Sequence, residues 1–374
     1  MLVVDRTDQS LVARWWWTVD RWALAAILLL IVVGCVLALA ATPAVAERMG
    51  LDRFYFARRQ FGFLSLAVVI MMLTSLLAPR GVLRVAVVGF LVALAATALT
   101  PFLGFEVKGA TRWLSLGGLS VQPSEFVKPC FIVVTAWLLA KRRDEETFPG
   151  RAIAAGLLAM VGLTLLTQPD VGMTMVVALV WGAQLFLAGL PMAWVVFLGI
   201  GIGGAAVTFY YAFPHVRSRF DSFFDSSVGD NFQVSQSLEA FRSGGFFGRG
   251  PGEGQVKAHL PDAHADFVFA VAGEEFGIVV CLALVALFAF VMLRGFARLL
   301  RGDDLFGLLA GCGLLAQFGI QTFVNIASSI RLIPPKGMTL PFISYGGSSA
   351  LALALGMGMV LALTRERPGE GHVR

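Results

Sequence analysis

Long uncharged apolar runs alternate with short polar links along almost the whole chain, and that rhythm predicts its architecture. A helix rises about 1.5 Å per residue, so about 20 apolar residues cross a bilayer. Residues 22–42, 61–79 and 85–105 each supply one run. Residues 129–140 are a clean run, too short alone, so a fourth helix must reach back through Lys128 and Glu125. Residues 152–169 form the fifth run. Residues 171–216 carry no formal charge and are interrupted at Gly189-Leu190-Pro191, which makes two more. Residues 276–293, 305–330 and 345–364 complete the series. The expectation is an all-α polytopic membrane protein with about ten transmembrane helices over residues 22–364. A segment 1–21 precedes them and a tail 365–374 follows. The first run is too long for a cleaved signal and reads as the first span.

The distribution of basic residues orients this series. The links Arg80–Arg84, Lys141–Arg151 and Arg294–Arg301 are basic, as are Arg365 and Arg367 in the tail. Such links belong in the cytoplasm, and so both termini are expected there. The large loop 213–266, between helices seven and eight, is then extracytoplasmic, with the 103–125 and 331–344 connections. Arg48, Arg53, Arg58 and Arg59 precede the second run and face outward, against the rule. The reverse orientation would put three basic links and the tail outside. The large loop mixes glycine with Phe220, Phe223, Phe224, Phe232, Phe241, Phe246 and Phe247, which suits segments lying at the interface.

Composition agrees with a membrane protein. Of 374 residues, 57% are hydrophobic and only 14% charged, against about a quarter charged in soluble domains. The net charge of +5 suits anionic headgroups. No basic stripe with interleaved aromatics points to nucleic acid. Cys35, Cys130, Cys281 and Cys312 lie in apolar runs without a C-x-x-C pair and read as small buried hydrophobes. There is no G-x-x-x-x-G-K-[ST] and no H-E-x-x-H, which excludes nucleotide-driven transport by this chain and a zinc protease. His259 and His264 are off one helical face and are not a metal pair.

Ionisable groups at membrane depth are costly, so each needs a partner or a task. Glu125 and Lys128 share a helix face, as a salt bridge between helices or as the wall of a polar cavity. Gln168-Pro169-Asp170 is a turn, or part of a pocket at the outer face. Gln317, Gln321 and Asn325 recur every four residues, a stripe that interhelical hydrogen bonds explain and a cavity lining would also fit. Lys108, Arg112, Arg217, Arg219, Arg242, Arg249, Lys257, Arg331 and Lys336 all fall in outer loops, where together they could neutralise a phosphate or pyrophosphate. Asp266, beside His264, sits where Leu260–Ala270 passes from polar to apolar. It fits a general base and equally a helix N-cap, and the residues alone leave both open.

Several long blocks resemble a known family. They are KGATRWLSLGGLSVQPSEFVK (108–128), TQPDVGMT (167–174), SRFDSFFDSSVGDNFQVSQSLEAFRSGGFFGRG (218–250), LPDAHADFVFAVAGEEFG (260–277) and PPKGMTLPFISYGGSS (334–349). In this order they are similar to the shape, elongation, division and sporulation (SEDS) family, which contains RodA and FtsW. GRGPGEG and FFDSSVGDNFQV look most like its alphaproteobacterial FtsW branch. The resemblance implies a peptidoglycan glycosyltransferase of the bacterial inner membrane, polymerising lipid II at the division septum beside a class B penicillin-binding protein and other divisome membrane proteins. It places the family's essential aspartate on Asp266, its glutamate and lysine on Glu125 and Lys128, and its outer arginines on Arg217 and Arg219. Lys108, Arg112 and His264 are expected to complete the substrate site. No cofactor is required by this reading, although a divalent cation such as Mg2+ or Mn2+ could assist. Two departures stand out: Ala265 replaces the family's threonine, and a proline is missing near Phe224–Asp225. A lipid II flippase and a non-catalytic divisome scaffold are the alternative functions.

Overall fold

Small polar residues and prolines set the helix starts. A computed structural model of the chain describes residues 10–366 apart from 108–109, 213–216, 218–220, 222–231 and 335. Ser10 caps α1 (Leu11–Thr18). Asp20 caps α2 (Arg21–Arg48) by accepting from the amides of Trp22 and Ala23. α3 (Tyr55–Ser75) follows. α4 (Pro79–Leu103) and α5 (Pro123–Asp144) both begin with proline, whose missing N–H costs nothing in a first turn. Next come α6 (Gly150–Leu166), α7 (Val171–Leu187), capped by Asp170, and α8 (Met192–Ala212). α9 (Phe232–Gly244), α10 (Val268–Leu299), α11 (Leu305–Ser329), capped by Asp304, and α12 (Gly347–Leu363) complete the described helices.

A helix lies over each of the ten expected apolar runs. Six of them (α2, α3, α4, α5, α10 and α11) are long and apolar enough to cross a membrane, whereas α6, α7 and α12 are apolar but shorter. Two boundaries differ from the apolar runs. α3 starts at Tyr55 rather than at residue 61, so Arg58 and Arg59 lie in the helix and not in a link. α10 starts at Val268 and breaks at Gly277, whose φ of 80° is non-helical. The break is forced by packing: a Cβ at Gly277 would lie 2.3 Å from the Phe246 carbonyl oxygen.

The fold is also not purely helical. Strands β1 (Phe105–Val107), β2 (Ala110–Leu116) and β3 (Leu119–Val121) form an antiparallel sheet in the order β1-β2-β3. The LSLGGLSV stretch carries the signal. Gly117 and Gly118 both have positive φ (56° and 82°), the requirement of a tight two-residue hairpin turn.

The connections gather at two ends. At one end the Glu366 amide donates to the Thr18 carbonyl, and Arg294 and Arg298 both reach the buried Asp20 carboxylate, at 2.7 and 3.1 Å. Trp15 Nε1 donates to Ser75 Oγ at the same end. At the other end lie the C-terminus of α2, the β-sheet, the turn before α7, residues 245–267 and the loop before α12. Arg48 of α2 donates to the Leu260 carbonyl there. Between the ends α5 is the central helix: 89% of its apolar window is buried, against 28% for α4 and for α10. α4 turns Val88, Leu91 and Val92 outward, each more than 60% exposed. An apolar exterior around a polar-bearing central helix is the arrangement a bilayer demands.

Glu274 and Glu275, in the first half of α10, are both buried. The Glu274 carboxylate accepts from three consecutive amides, those of Gln255, Val256 and Lys257, at 2.7–2.8 Å. The Lys257 ammonium is buried against the Glu275 carboxylate and also donates to the Ala40 carbonyl. These contacts staple the 249–258 loop to α2 and to the kink in α10. Glu275→Ala would leave Lys257 buried and unpaired. It is expected to cost about 3–5 kcal/mol, read as a lower thermal midpoint in detergent, and the double variant Glu275→Leu/Lys257→Met is expected to recover most of the loss.

Candidate functional site

Asp266 sits in a turn that opens α10. Its amide donates to the Asp262 carbonyl, and Asp262 itself holds a positive φ of 51°. The helix cap is Phe267, which makes no side-chain capping bond. Asp266 therefore stands one residue before the N-cap position rather than at it. It lies against Gly337, where an added Cβ would be 3.2 Å from Asp266 Oδ2.

The backbone of this turn is held from three sides. The Asn325 side-chain amide donates to the Asp266 carbonyl (2.9 Å) and to the Met338 carbonyl (2.6 Å). Ser344 Oγ donates to the Ala265 carbonyl, and the Tyr345 amide donates to the His264 carbonyl at 2.8 Å. Gln60 of α3 in turn donates to the Ser344 carbonyl. The hydroxyl that Ala265 lacks is thus matched by one from Ser344 on the facing loop. The His264 ring packs between Phe56 and Tyr345, each with its centroid 5.2 Å away. That sandwich makes His264 part of the support for the turn. Burial pushes the Tyr345 phenol above its ordinary range, so it stays protonated at neutral pH.

A second polar layer runs deeper. Lys128 and Glu125 on α5 are 2.9 Å apart, with side chains 2% and 10% exposed. The Lys128 ammonium also approaches Gln321 Oε1 at 3.4 Å. Gln321 Nε2 passes the network on to Thr339 and to Ser349 Oγ, at 3.1–3.2 Å. The α11 stripe therefore does two things at once. Gln321 ties the ion pair to the loop before α12, and Asn325 ties that loop to Asp266. Ser124 Oγ, Gln317 Oε1 and Asn325 Oδ1 are buried without a hydrogen-bond partner among the described residues, the condition of groups that a ligand or solvent must serve.

Arg112 on β2 clamps the turn before α7. It donates to the carbonyls of Gln168 and Pro169 and pairs with Asp170 at 3.3 Å. Gln168 fixes the same turn by donating to the Thr97 carbonyl. Both expectations for Gln168-Pro169-Asp170 meet here: it is a turn, and it borders the site through Lys336. The Lys336 stem crosses α7 at Gly172, where an added Cβ would be 1.4 Å from Lys336 Cε. Burial, with Lys128 and Arg112 acting in the same sense, pushes the Lys336 ammonium down to about 8, against the opposing pull of Asp170 and Glu125.

The remaining expected ligands fall elsewhere. Arg217 is exposed and pairs with Asp221 at 3.4 Å. Lys108, Arg219 and the Phe224–Asp225 position lie outside the described residues. Among the described residues no three His, Cys, Asp or Glu side chains converge as a metal-ligand group. The sequence pattern gave Thr339, Ser344 and Ser349 no role, although a run of small polar residues in the otherwise uncharged 337–349 stretch was a signal for them.

This chain matches known proteins over nearly its full length. The family model FTSW_RODA_SPOVE, cell cycle protein, matches residues 21–368. The Caulobacter vibrioides (strain NA1000 / CB15N) protein named "Probable peptidoglycan glycosyltransferase FtsW" is 45% identical over 366 residues, covering 97% of this chain and 94% of the relative. A protein of the same name from Saccharophagus degradans (strain 2-40) is 35% identical over 342 residues, 87% of each chain. Among solved structures, a chain described under "Structural coordination of polymerization and crosslinking by a peptidoglycan synthase complex" superposes with a TM-score of 0.76 at 27% identity, covering 92% of this chain and 97% of its own. The Thermus thermophilus rod shape determining protein RodA superposes with a TM-score of 0.70, also at 27% identity, covering 93% of this chain and 97% of its own. The helical order, the polar layer between α5 and α11 and these full-length matches agree: the chain belongs to the FtsW/RodA/SpoVE family of cell cycle proteins, the SEDS family.

Proposed function

We propose that this chain is a septal peptidoglycan glycosyltransferase that polymerises lipid II into β-1,4 glycan and releases undecaprenyl pyrophosphate. The full-length match to relatives named peptidoglycan glycosyltransferase supports the activity. The single observation that carries the mechanism is the placement of Asp266, one residue before the N-cap of α10 and on a turn whose backbone is held by Asn325, Ser344 and Tyr345.

In this reading ten helices over residues 22–364 cross the inner membrane. The basic end carrying Arg80, Arg84, Arg294 and Arg298, the segment 1–21 and the tail 365–374 face the cytoplasm. The 213–266 loop and Asp266 face outward. The solved relative that couples polymerisation to crosslinking favours a crosslinking partner here too, of the class B penicillin-binding type.

The acceptor 4-hydroxyl attacks the anomeric carbon of the donor. The O4–C1 bond forms as the bond from C1 to the pyrophosphate oxygen breaks, and that electron pair leaves on undecaprenyl pyrophosphate. The hydroxyl proton passes to Asp266. One inversion at an α-linked donor yields the β linkage. Pyrophosphate leaves without help from an acid, so what the site supplies is positive charge. Arg112 and Lys128 are each engaged by a carboxylate and contribute mainly through their field. Glu125 pairs with Lys128 at depth, and His264 keeps the Asp266 turn in place.

Asp266→Asn, purified with the partner transpeptidase and given labelled lipid II, is expected to lose polymerisation by about a hundredfold or more. Full polymer synthesis by that variant would sink the assigned role. Movement of lipid II across protein-only vesicles without polymer would favour the flippase reading, and inertness with retained partner binding would favour the scaffold. Asn325→Ala releases the Asp266 carbonyl from the loop before α12. It is expected to lower kcat by roughly tenfold to a hundredfold while KM changes little. Steady-state kinetics with thermal unfolding as a folding control measures this.

A further inference from the structure

The polar cluster around α5, β2 and the start of α7 contains three cations and two carboxylates. Arg112 is matched to Asp170 at 3.3 Å and Lys128 to Glu125 at 2.9 Å. Lys336 is the third cation. Among the described residues its hydrogen-bond acceptor is the Met338 thioether, 3.3 Å from Nζ. A thioether is a weak acceptor, and an ammonium has three donors to place. Lys336 is half-buried, so the protein holds a positive charge out of bulk water and gives it little to bind.

Its position is fixed by backbone. The Lys336 stem fits over the first turn of α7 only because residue 172 is glycine. The next residue, Gly337, adopts a positive φ of 68°, and a Cβ added there would lie 3.2 Å from Asp266 Oδ2. The loop that carries Lys336 thus approaches the Asp266 turn at the very next residue.

The geometry points to Lys336 as the residue that binds the pyrophosphate of the donor, with Gly172 as the positioning residue that seats it; this assignment rests on the glycosyl-transfer reading above. The chemistry is that of a doubly phosphorylated leaving group. Its anionic oxygens take the donors that Met338 leaves over, and the charge they gain as the C1–O bond breaks falls on the cation of this cluster that is not engaged by a carboxylate.

The charge state adds a signature. The groups facing Lys336 are Asp170 on α7, Glu125 and Lys128 on α5 and Arg112 on β2, and burial outweighs the two carboxylates to set its proton affinity at about 8. The ammonium is charged below that pH and becomes neutral above it. Affinity for the anion is then full in the acid direction and falls as pH rises through about 8. An arginine at this position stays charged throughout.

Two readouts on the full chain with its partner test this. One is KM for lipid II against pH. The other is protection from thermal unfolding by inorganic pyrophosphate, which requires no turnover. Lys336→Met is expected to raise KM by roughly tenfold to a hundredfold and to abolish protection. Lys336→Arg is expected to keep both while removing the alkaline fall. Gly172→Ala, which keeps the lysine but displaces it, is expected to resemble Lys336→Met. If Lys336→Met keeps KM within twofold of the parent, or Lys336→Arg keeps the same alkaline fall, the assignment is overturned while polymerisation stands. If the parent makes no polymer but pyrophosphate protection still depends on Lys336, the anion site stands and the glycosyl-transfer reading fails. Should Lys336→Met not fold, the pH profile of Lys336→Arg decides alone.

Discussion

A glutamate and a lysine on a helix buried on nearly every side are the constraint around which this molecule is arranged. Neither Glu125 nor Lys128 is tolerable alone at that depth, because a lone charge in a low-dielectric interior costs far more than the helix gains by packing. Their 2.9 Å contact offsets part of that cost. The rest is met by Gln321, which accepts from the ammonium and donates onward to Thr339 and Ser349. Because those acceptors lie on the loop before α12 and on α12 itself, satisfying one ion pair fixes the position of a loop. The central helix and the outer loop are thereby one hydrogen-bonded unit.

That unit reaches the chemistry through main-chain carbonyls. Asn325 and Ser344 hold the Asp266 turn by its backbone. Holding the turn this way fixes where Asp266 stands. The same economy operates on the other flank. Glu274 accepts three amides from the 255–257 loop, and the buried Lys257–Glu275 pair fastens that loop to α2. Two buried acid–base pairs thus bracket the Asp266 turn, one in α5 and one at the kink of α10. Both help to decide where that turn stands.

Helix positions were legible because each apolar run needs its own hydrogen-bonded helix at membrane depth, so hydropathy alone located them. The exceptions have local causes. The early start of α3 reflects arginines that the helix end carries without penalty, and the kink at Gly277 reflects the approach of the Phe246 backbone, a contact between residues distant in sequence. The β-meander was written in the Gly117-Gly118 pair but hidden inside a stretch read as a loop.

The candidate site was legible in part. The sequence determined that Asp266, Glu125 and Lys128 are polar groups placed where polarity is expensive, and that expense is a property of the residues and their apolar neighbours alone. It could not separate capping from catalysis for Asp266, because both fit a carboxylate before a helix. Only the tertiary structure decided that Phe267 is the cap, that Arg112 grips the turn before α7, and that Lys336 crosses Gly172 toward the two ion pairs. The physical reason is range. Hydropathy and helix periodicity act within one element, whereas the partner of a buried charge is chosen by which elements pack together, and that choice is made across more than two hundred residues of chain.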